Sequence, residues 1–133
     1  MNLFVLAYVI AVPLFVAIDM IWLLGFGRSF YVEEIGGLLR ASPNLWAALA
    51  FYLVYAFGMV YFAVNGALHN SNPTQALLQG AIFGLIAYAT YDLTSLAVLN
   101  GFTVKIAVID MAWGSILTGA VSWLVTRILM AMA

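Results

Sequence analysis

The sequence predicts an all-α integral membrane protein, a four-helix bundle with up-down-up-down topology. The first observation is composition: 67% of the 133 residues are hydrophobic, 7% are charged, and the mean hydropathy is +1.14. Soluble domains carry about 25% charged residues, because polar groups must cover their surface. The second observation is that four apolar stretches each reach the roughly 20 helical residues that cross a bilayer core of about 30 Å. The third is that short turns separate most of them, which makes neighbouring helices antiparallel.

The four predicted spans belong to one domain, residues 1–133, and cover residues 3–24, 45–66, 75–99 and 103–129. The first has neither a basic leader nor a small-residue cleavage site, so we expect it to be retained rather than removed as a signal peptide. Gly25 and Gly27 are expected to end it. Pro13 lies inside it and should kink the helix, because a proline frees the carbonyl of Val9.

The connection between the first two spans is the one substantial segment outside the bilayer. Residues 25–42 are expected to form either a short helix at the membrane interface or an ordinary loop. At its end, Ser42 offers a capping hydroxyl and Pro43 suits the first position of a helix. These residues therefore mark the start of the second span.

The third span has signals at both ends. Asn72 is a predicted N-cap, Pro73 suits the first helical position, and Gln75 fits a capping box three residues after the cap. Asn100-Gly101 predicts a tight turn that closes the third span and leads into the fourth.

Small residues recur at four-residue spacing in the last two spans. They are Gly80 and Gly84, then Ser115 and Gly119. Such pairs let helix backbones approach closely. The sequence leaves open whether they join helices within one chain or between two chains, and a homodimer is one expectation because four spans make a thin bundle.

Composition also excludes several classes of function. The chain has no cysteine, which excludes disulfides, thiol catalysis and iron–sulfur clusters, and its single histidine, His69, lies in a turn away from the acids. No haem motif is present, and Gly25-x-Gly27 is not a nucleotide-binding loop, since no strand precedes it. A net charge of −1 argues against nucleic acid as a partner. Membrane lipids are the expected partners.

The distribution of positive charge predicts the orientation. Both termini lie on one side of the bundle, here called the termini side, and the long connection lies on the other, the connector side. The connector side holds Arg28, Arg40 and Lys105, whereas the termini side holds Arg127 and the terminal amine. The positive-inside rule therefore favours a cytoplasmic connector side, with both termini outside the cytoplasm.

Three aspartates lie inside predicted spans. Asp19, Asp92 and Asp110 are five, seven and seven residues from the connector-side ends of their helices. At about 1.5 Å per residue, all three are expected roughly 8–10 Å below the connector-side interface. Ionisable groups at such depth are costly and usually face protein or water. The topology thus predicts a three-aspartate layer.

Aromatic and hydroxyl side chains are expected in the same layer. Trp22 and Trp113 each follow an aspartate by three residues, so each indole is expected to cover or hydrogen-bond its own aspartate. The other candidates are residues near Asp92 in the third span and tyrosines at matching depth in the second, namely Tyr88, Tyr91, Ser95, Tyr52 and Tyr55.

Several chemistries remain open for the three acids. They could be neutral groups that hydrogen-bond between helices, or Asp19 could pair with Arg28 and Asp110 with Lys105. Carboxyl groups in close contact cannot all ionise without a cation. A metal bound there would be held by Asp19, Asp92 and Asp110, and oxygen ligands suit Mg²⁺, Ca²⁺ or Mn²⁺.

Two stretches resemble the signature of a known family. Tyr91-Asp92-Leu93-Thr94-Ser95-Leu96-Ala97 and Asp110-Met111-Ala112-Trp113-Gly114 resemble a bacterial family of small four-span inner-membrane proteins catalogued as a domain of unknown function. Asp19-x-x-Trp22 and Phe51-Tyr52 fit the same pattern. The chain departs from it at Ser95, where an asparagine is expected. The resemblance implies the fold and a bacterial inner-membrane location, but no activity.

The sequence therefore leaves three functions open. The acids could bind a cation, a proton or a polar headgroup in a transport-like site. They could instead serve as general acid and base, or hold Mg²⁺, in an enzyme or accessory subunit that modifies lipids. The third alternative is a non-catalytic scaffold, in which the acids only join helices.

Overall fold

The structure, a computed structural model, describes residues 2–133, and within that range the chain is helical and has no strand. Four helices are long and apolar enough to cross a membrane, which confirms the predicted all-α membrane bundle. They are spans 1 to 4, with the bounds Leu3–Phe26, Leu45–His69, Pro73–Val98 and Val104–Met132. Pro13 lies inside span 1 without interrupting its helix.

Spans 1 and 2 each contain a π-helical segment, Trp22–Phe26 and Val60–Val64. In span 1, the N–H of Gly27 donates to the carbonyl of Trp22, five residues back, at 2.7 Å. This segment carries the helix past Gly25, so the prediction that Gly25 ends the helix is wrong. A Cβ on Gly27 would lie 2.4 Å from the Trp22 ring, so the indole packs directly on the glycine. Such segments often occur at functional sites.

A helix, rather than an irregular loop, forms the first part of the long connection. This connecting helix runs Arg28–Ile35 and is followed by a 3₁₀ turn, Gly36–Leu38. Its apolar side packs on Phe102, Ile106 and Ala107 at the start of span 4. The Thr103 hydroxyl also donates to a Glu34 carboxylate oxygen at 2.7 Å. The connecting helix therefore covers the connector-side end of span 4.

The cap of span 2 is not the one predicted. Asn44, and not Ser42, caps this helix, because its side-chain oxygen accepts from the N–H of Ala47 at 3.1 Å. Pro43 therefore lies outside the helix. Ser42 is too far back to reach the free N–H groups of a helix that begins at Leu45.

The predicted start of span 3 is confirmed in its main part. Asn72 caps the helix by accepting from the N–H of Gln75 at 3.1 Å, and Pro73 is the first helical residue. The capping box does not close, since the Gln75 side chain accepts from the Asn70 amide at 2.9 Å instead. Gly101 has φ +85°, in the left-handed region, as the predicted turn requires.

Spans 3 and 4 pack along a seam of small residues within one chain. A Cβ on Gly84 would lie 2.3 Å from the Gly114 carbonyl oxygen, and one on Gly80 would lie 2.8 Å from that of Thr118. The Ser115 hydroxyl donates to the Ala81 carbonyl at 2.9 Å, across the same seam. The small-residue pairs are therefore used inside the chain, and the two spans run antiparallel.

The apolar core lies in the half of the bundle nearer the termini side. Its fully or almost fully buried side chains come from spans 1, 2 and 4, and include Ala7, Ala11, Met59, Val60, Val64, Val121, Val125 and Leu129. The connector-side half contains the predicted acids.

Candidate functional site

Asp19 is held by two neutral donors from neighbouring spans. One carboxylate oxygen accepts from the Tyr52 hydroxyl at 2.7 Å, and the other accepts from the Trp113 indole N–H at 3.0 Å. The side chain is buried. Both oxygens are thus satisfied without Arg28, so the predicted alternative of an Asp19–Arg28 ion pair is not the observed arrangement.

The two tryptophans do not hydrogen-bond their own aspartates. Trp113, on span 4, donates to Asp19 of span 1, while Trp22 donates to the Tyr31 hydroxyl at 3.0 Å. The two indoles stack with centroids 4.6 Å apart and an interplanar angle of 12°. The hydrogen-bond alternative of the prediction is therefore wrong, because three-residue spacing aligns the Cβ atoms on one face, whereas each indole N–H extends to a neighbouring helix.

Asp110 is reached from the connecting helix. The Tyr31 hydroxyl donates to an Asp110 oxygen at 2.5 Å, so Tyr31 joins Trp22 to Asp110. Burial, and then the Asp110 charge, raise the pKa of the Tyr31 hydroxyl above its ordinary value, so it remains a donor. Lys105, proposed as the alternative partner of Asp110, is exposed.

Sequence reasoning missed Tyr31 as a site residue. The connection was left open between helix and loop, so its side chains had no predicted direction. The available signal was the Phe30-Tyr31-Val32 stretch, which lies less than two helical turns beyond the end of span 1.

Asp92 is placed differently from the other two acids. It is fully buried, and no donor among residues 2–133 hydrogen-bonds either of its carboxylate oxygens. Its carboxyl group lies within hydrogen-bonding range of that of Asp110. Two carboxyl groups can bond each other only when one of them carries a proton. The three acids therefore divide into Asp19, which contacts neither of the others, and the contacting pair Asp92 and Asp110.

A cavity of about 410 Å³ lies beside these acids. Asp19 and Asp110 supply its carboxyl groups. Its remaining wall is almost entirely apolar and aromatic, and the aromatic residues are Tyr31, Phe51, Tyr55, Tyr88, Tyr91 and Trp113. This volume lies within the range of about 300–1,000 Å³ usual for small-molecule sites.

Two local contacts set the positions of Tyr55 and Tyr88 in the cavity wall. The Tyr55 hydroxyl and the Thr118 hydroxyl are hydrogen-bonded at 2.7 Å, which fixes Tyr55 against span 4. Gly114 leaves room for the Tyr88 ring, because a Cβ there would lie 2.1 Å from it. The Tyr55 and Tyr88 rings meet edge to face, with centroids 5.9 Å apart.

The predicted site residues therefore take different places. Those that line the cavity are Asp19, Asp110, Trp113, Tyr55, Tyr88 and Tyr91. Tyr52 and Trp22 stand behind it and hold cavity residues through hydrogen bonds. Asp92 is buried behind Asp110, and Ser95 is buried one turn further along span 3 without lining the cavity.

The exposed part of the cavity wall lies between spans 2 and 3. The backbone of span 3 packs mainly against the second half of span 2, Val60–His69, and it approaches the first half mainly through side chains such as Tyr88, which meets Tyr55. Phe51 and Tyr91, on the two sides of the gap between these spans, are 43% and 64% exposed. A surface depression lined by Ala47, Val54 and the cavity residues Phe51 and Tyr55 continues outward along span 2. In a bilayer, this gap faces lipid.

The acids do not form a metal centre of the usual kind. Across the described range, 2–133, no three His, Cys, Asp or Glu side chains converge as metal ligands. Asp19 already accepts two hydrogen bonds, and Asp92 faces Asp110 rather than the cavity. In this arrangement Asp19, Asp92 and Asp110 do not converge on one point, and a shared Mg²⁺ or Ca²⁺ stays a prediction.

These features define a small four-span membrane protein with an acidic, aromatic-walled cavity in its connector-side half. The chain belongs to the family described as "Predicted membrane protein (DUF2177)", whose model matches residues 4–127. This finding confirms the resemblance seen in the stretches around Asp92 and Asp110. No curated protein and no solved structure matches the chain.

Proposed function

We propose that the protein binds a membrane amphiphile with a cationic headgroup, which enters the cavity sideways from the bilayer. The observation that carries this proposal is the lateral cavity itself, with two carboxyl groups and an aromatic wall. Carboxylates and aromatic faces both attract cations, and the contribution of an aromatic face is about 0.5–2 kcal/mol. The proposal is a narrower form of the transport-like binding site expected from the sequence.

The charge of the site selects the sign of the ligand. Among residues 2–133, no Lys, Arg or His lines the cavity, and Arg28 and Lys105, on the same side of the protein, are exposed. An anionic headgroup would therefore meet carboxyl groups without a counter-charge, in surroundings that screen repulsion weakly. The apolar wall also favours an amphiphile over a small hydrated ion.

The surface depression along span 2 supplies a place for the apolar tail. It shares Phe51 and Tyr55 with the cavity and is otherwise lined by Ala47, Ala50 and Val54. A headgroup beside Asp19 and Asp110 would thus leave its tail along a lipid-facing helix surface. The enzyme and scaffold alternatives have no comparable observation in their favour.

We further propose that the protein lies in a bacterial plasma membrane with the cavity nearer the cytoplasmic leaflet. Arg28, Arg40 and Lys105 on the connector side support this orientation through the positive-inside rule. A C-terminal alkaline phosphatase fusion should then be active, because this reporter folds only outside the cytoplasm. An inactive, fully expressed fusion would reverse the orientation.

The binding proposal can be tested with probes that differ only in headgroup. Purified protein in zwitterionic nanodiscs is titrated with dodecyltrimethylammonium, dodecanol or laurate, with empty nanodiscs as blanks. The readout is the fluorescence of a variant that keeps Trp22 and Trp113 and carries Phe in place of Trp46 and Trp123. We expect saturable binding of the ammonium at least tenfold tighter than that of laurate. Equal affinity for all three probes would overturn the proposal.

Matched variants show whether the acids are responsible. Asp19→Asn and Asp110→Asn, alone and together, should each weaken ammonium binding, and the double variant should lose at least tenfold in affinity. Glu33→Gln is the control, because it removes an exposed carboxylate of the connecting helix, outside the cavity. A loss in Glu33→Gln as large as in the double variant would indicate surface attraction instead of a site.

A further inference from the structure

We infer that the Asp92–Asp110 pair holds one shared proton, and that a cationic headgroup bound at Asp110 displaces it. Ligand and proton would then compete for the same pair of carboxyl groups. This inference rests on the proposed function and adds to it a coupled ion, the proton.

The first step is the isolation of Asp92. Its side chain has 0% exposure, and both oxygens lack a donor within the described part of the chain. Asp19, by comparison, has one donor for each oxygen. A buried carboxylate without donors or counter-charge is strongly disfavoured over its neutral form. A neutral carboxyl group that donates its own proton to Asp110 avoids this cost.

The second step is the set of groups that face the pair. Tyr31 of the connecting helix donates to Asp110, Asp19 of span 1 lies across the cavity, and Tyr88 lies one turn before Asp92 on span 3. From span 2, the nearest titratable groups are Tyr52, which is bonded to Asp19, and Tyr55, which is bonded to Thr118. These groups are acids or neutral donors, so no cationic side chain among them neutralises two carboxylates in contact. A proton can do so.

The third step is the difference in access between the two carboxyl groups. Asp110 lines the cavity, whereas Asp92 lies behind it. A cation that enters the cavity therefore meets Asp110 first. Its charge replaces that of the shared proton, and the proton leaves through the same cavity. The reactants are the protonated pair and the ligand cation, and the products are the cation-bound pair and one free proton. The only covalent bond that breaks is an O–H bond of the pair.

Proton release can be measured directly, because dodecyltrimethylammonium has no proton of its own to lose. Calorimetric titration of the nanodisc-embedded protein in phosphate and in Tris, which differ in ionisation enthalpy, gives the number of protons released. We expect about one proton per bound probe in the wild type, and an affinity that rises about tenfold per pH unit while the pair remains protonated.

Asp92→Asn is the decisive variant. Its amide can donate to Asp110 without carrying a titratable proton, so we expect retained binding with proton release near zero and a flat pH dependence. Thr90→Val, on the same span, is the matched control and should behave as wild type, since Thr90 is exposed and bonded only to the Ile86 carbonyl.

The outcomes separate this inference from the proposed function. Binding without proton release in the wild type, or unchanged release in Asp92→Asn, would overturn the shared proton and leave the amphiphile site standing. Absence of any saturable binding would overturn both. If Asp92→Asn does not fold, infrared difference spectra of the wild type decide the question, because ligand binding should remove a protonated carboxyl C=O band, and no such loss would contradict the inference.

Discussion

The two halves of this bundle use the same four helices in opposite ways. The packed region, made of the span 3–4 seam and the core nearer the termini side, has side chains such as Val60, Val121 and Val125 at 0% exposure. The pocket region, in the connector-side half, contains acids, tyrosines and a cavity of about 410 Å³. Close packing in one half therefore supports an incompletely filled half that is available for binding.

The structural cause of this difference lies mainly in span 2. The backbone of span 3 packs mainly against its second half, while its first half, before the π-helical segment Val60–Val64, meets span 3 mainly through side chains. The connecting helix covers the end of span 4 rather than this gap. Substitutions in the two regions should accordingly have different effects, on folding in one and on binding in the other.

The largest effect is expected at the seam. Gly84→Ala would place a Cβ 2.3 Å from the Gly114 carbonyl oxygen, so the spans can accept it only by moving apart. Overpacking of this kind costs about 1–3 kcal/mol, and the midpoint of thermal unfolding in detergent should fall by several degrees. Gly25→Ala is the matched control, because nothing lies within 4 Å of its new Cβ. Equal unfolding midpoints for the two variants would show that the seam has room for a Cβ at position 84.

Gly114→Ala, in contrast to Gly84→Ala, should change ligand binding as well as stability. Its Cβ would meet the Tyr88 ring at 2.1 Å, and Tyr88 lines the cavity. Because the contact includes Cγ, the whole Tyr88 side chain must move, and the open space available to it is the cavity. We expect a smaller fall in the unfolding midpoint than for Gly84→Ala, together with a loss of at least fivefold in dodecyltrimethylammonium affinity. Unchanged affinity would mean that Tyr88 does not shape the site.

The smallest effect is expected at the hydroxyl that joins the connecting helix to the pocket. Tyr31→Phe removes the hydrogen bonds to Trp22 and Asp110, which should cost about 1 kcal/mol at pH 7. The pKa of Tyr31 is raised by burial and by Asp110, so above its ordinary value of 10.0 the unfolded chain loses a proton that the folded chain retains. The stabilisation is therefore complete below pH 10 and decreases above it.

Unfolding midpoints of wild type and Tyr31→Phe at pH 7, 9 and 11 check this prediction. The difference between them should be constant up to about pH 9 and narrower at pH 11. Tyr61→Phe serves as the control, because that ring is exposed on the outer surface of span 2. A difference that grows with pH would contradict the assigned direction of the pKa change.

Several structural features followed from the sequence because they depend on local chemistry. The membrane bundle followed from apolar length, the start of span 3 from Asn72 and Pro73, and the turn at Gly101 from its conformational freedom. The cap of span 2 did not, since Ser42 and Asn44 are both competent caps and only the observed helix start decides between them.

The candidate site shows the same division. Helix arithmetic was enough to place three aspartates near one level, because rise per residue is a property of any α-helix. It did not show that Asp92 faces Asp110 while Asp19 bonds Trp113, since these pairings depend on how the spans are rotated about their axes. Tyr31 could not be assigned to the site from the sequence, because its helix has no fixed position until it packs on span 4.

The sequence by itself determined that the chain crosses a membrane four times and that its acids are confined to the connector-side half, because hydrophobic length and residue spacing act along a single helix. Only the tertiary structure decided which acids touch, which tryptophan bonds which aspartate, and that a gap toward lipid opens between spans 2 and 3. These features arise from the rotation and separation of packed helices. Rotation and separation are set by the close contacts of particular side chains, such as Gly84 against Gly114, and not by hydropathy.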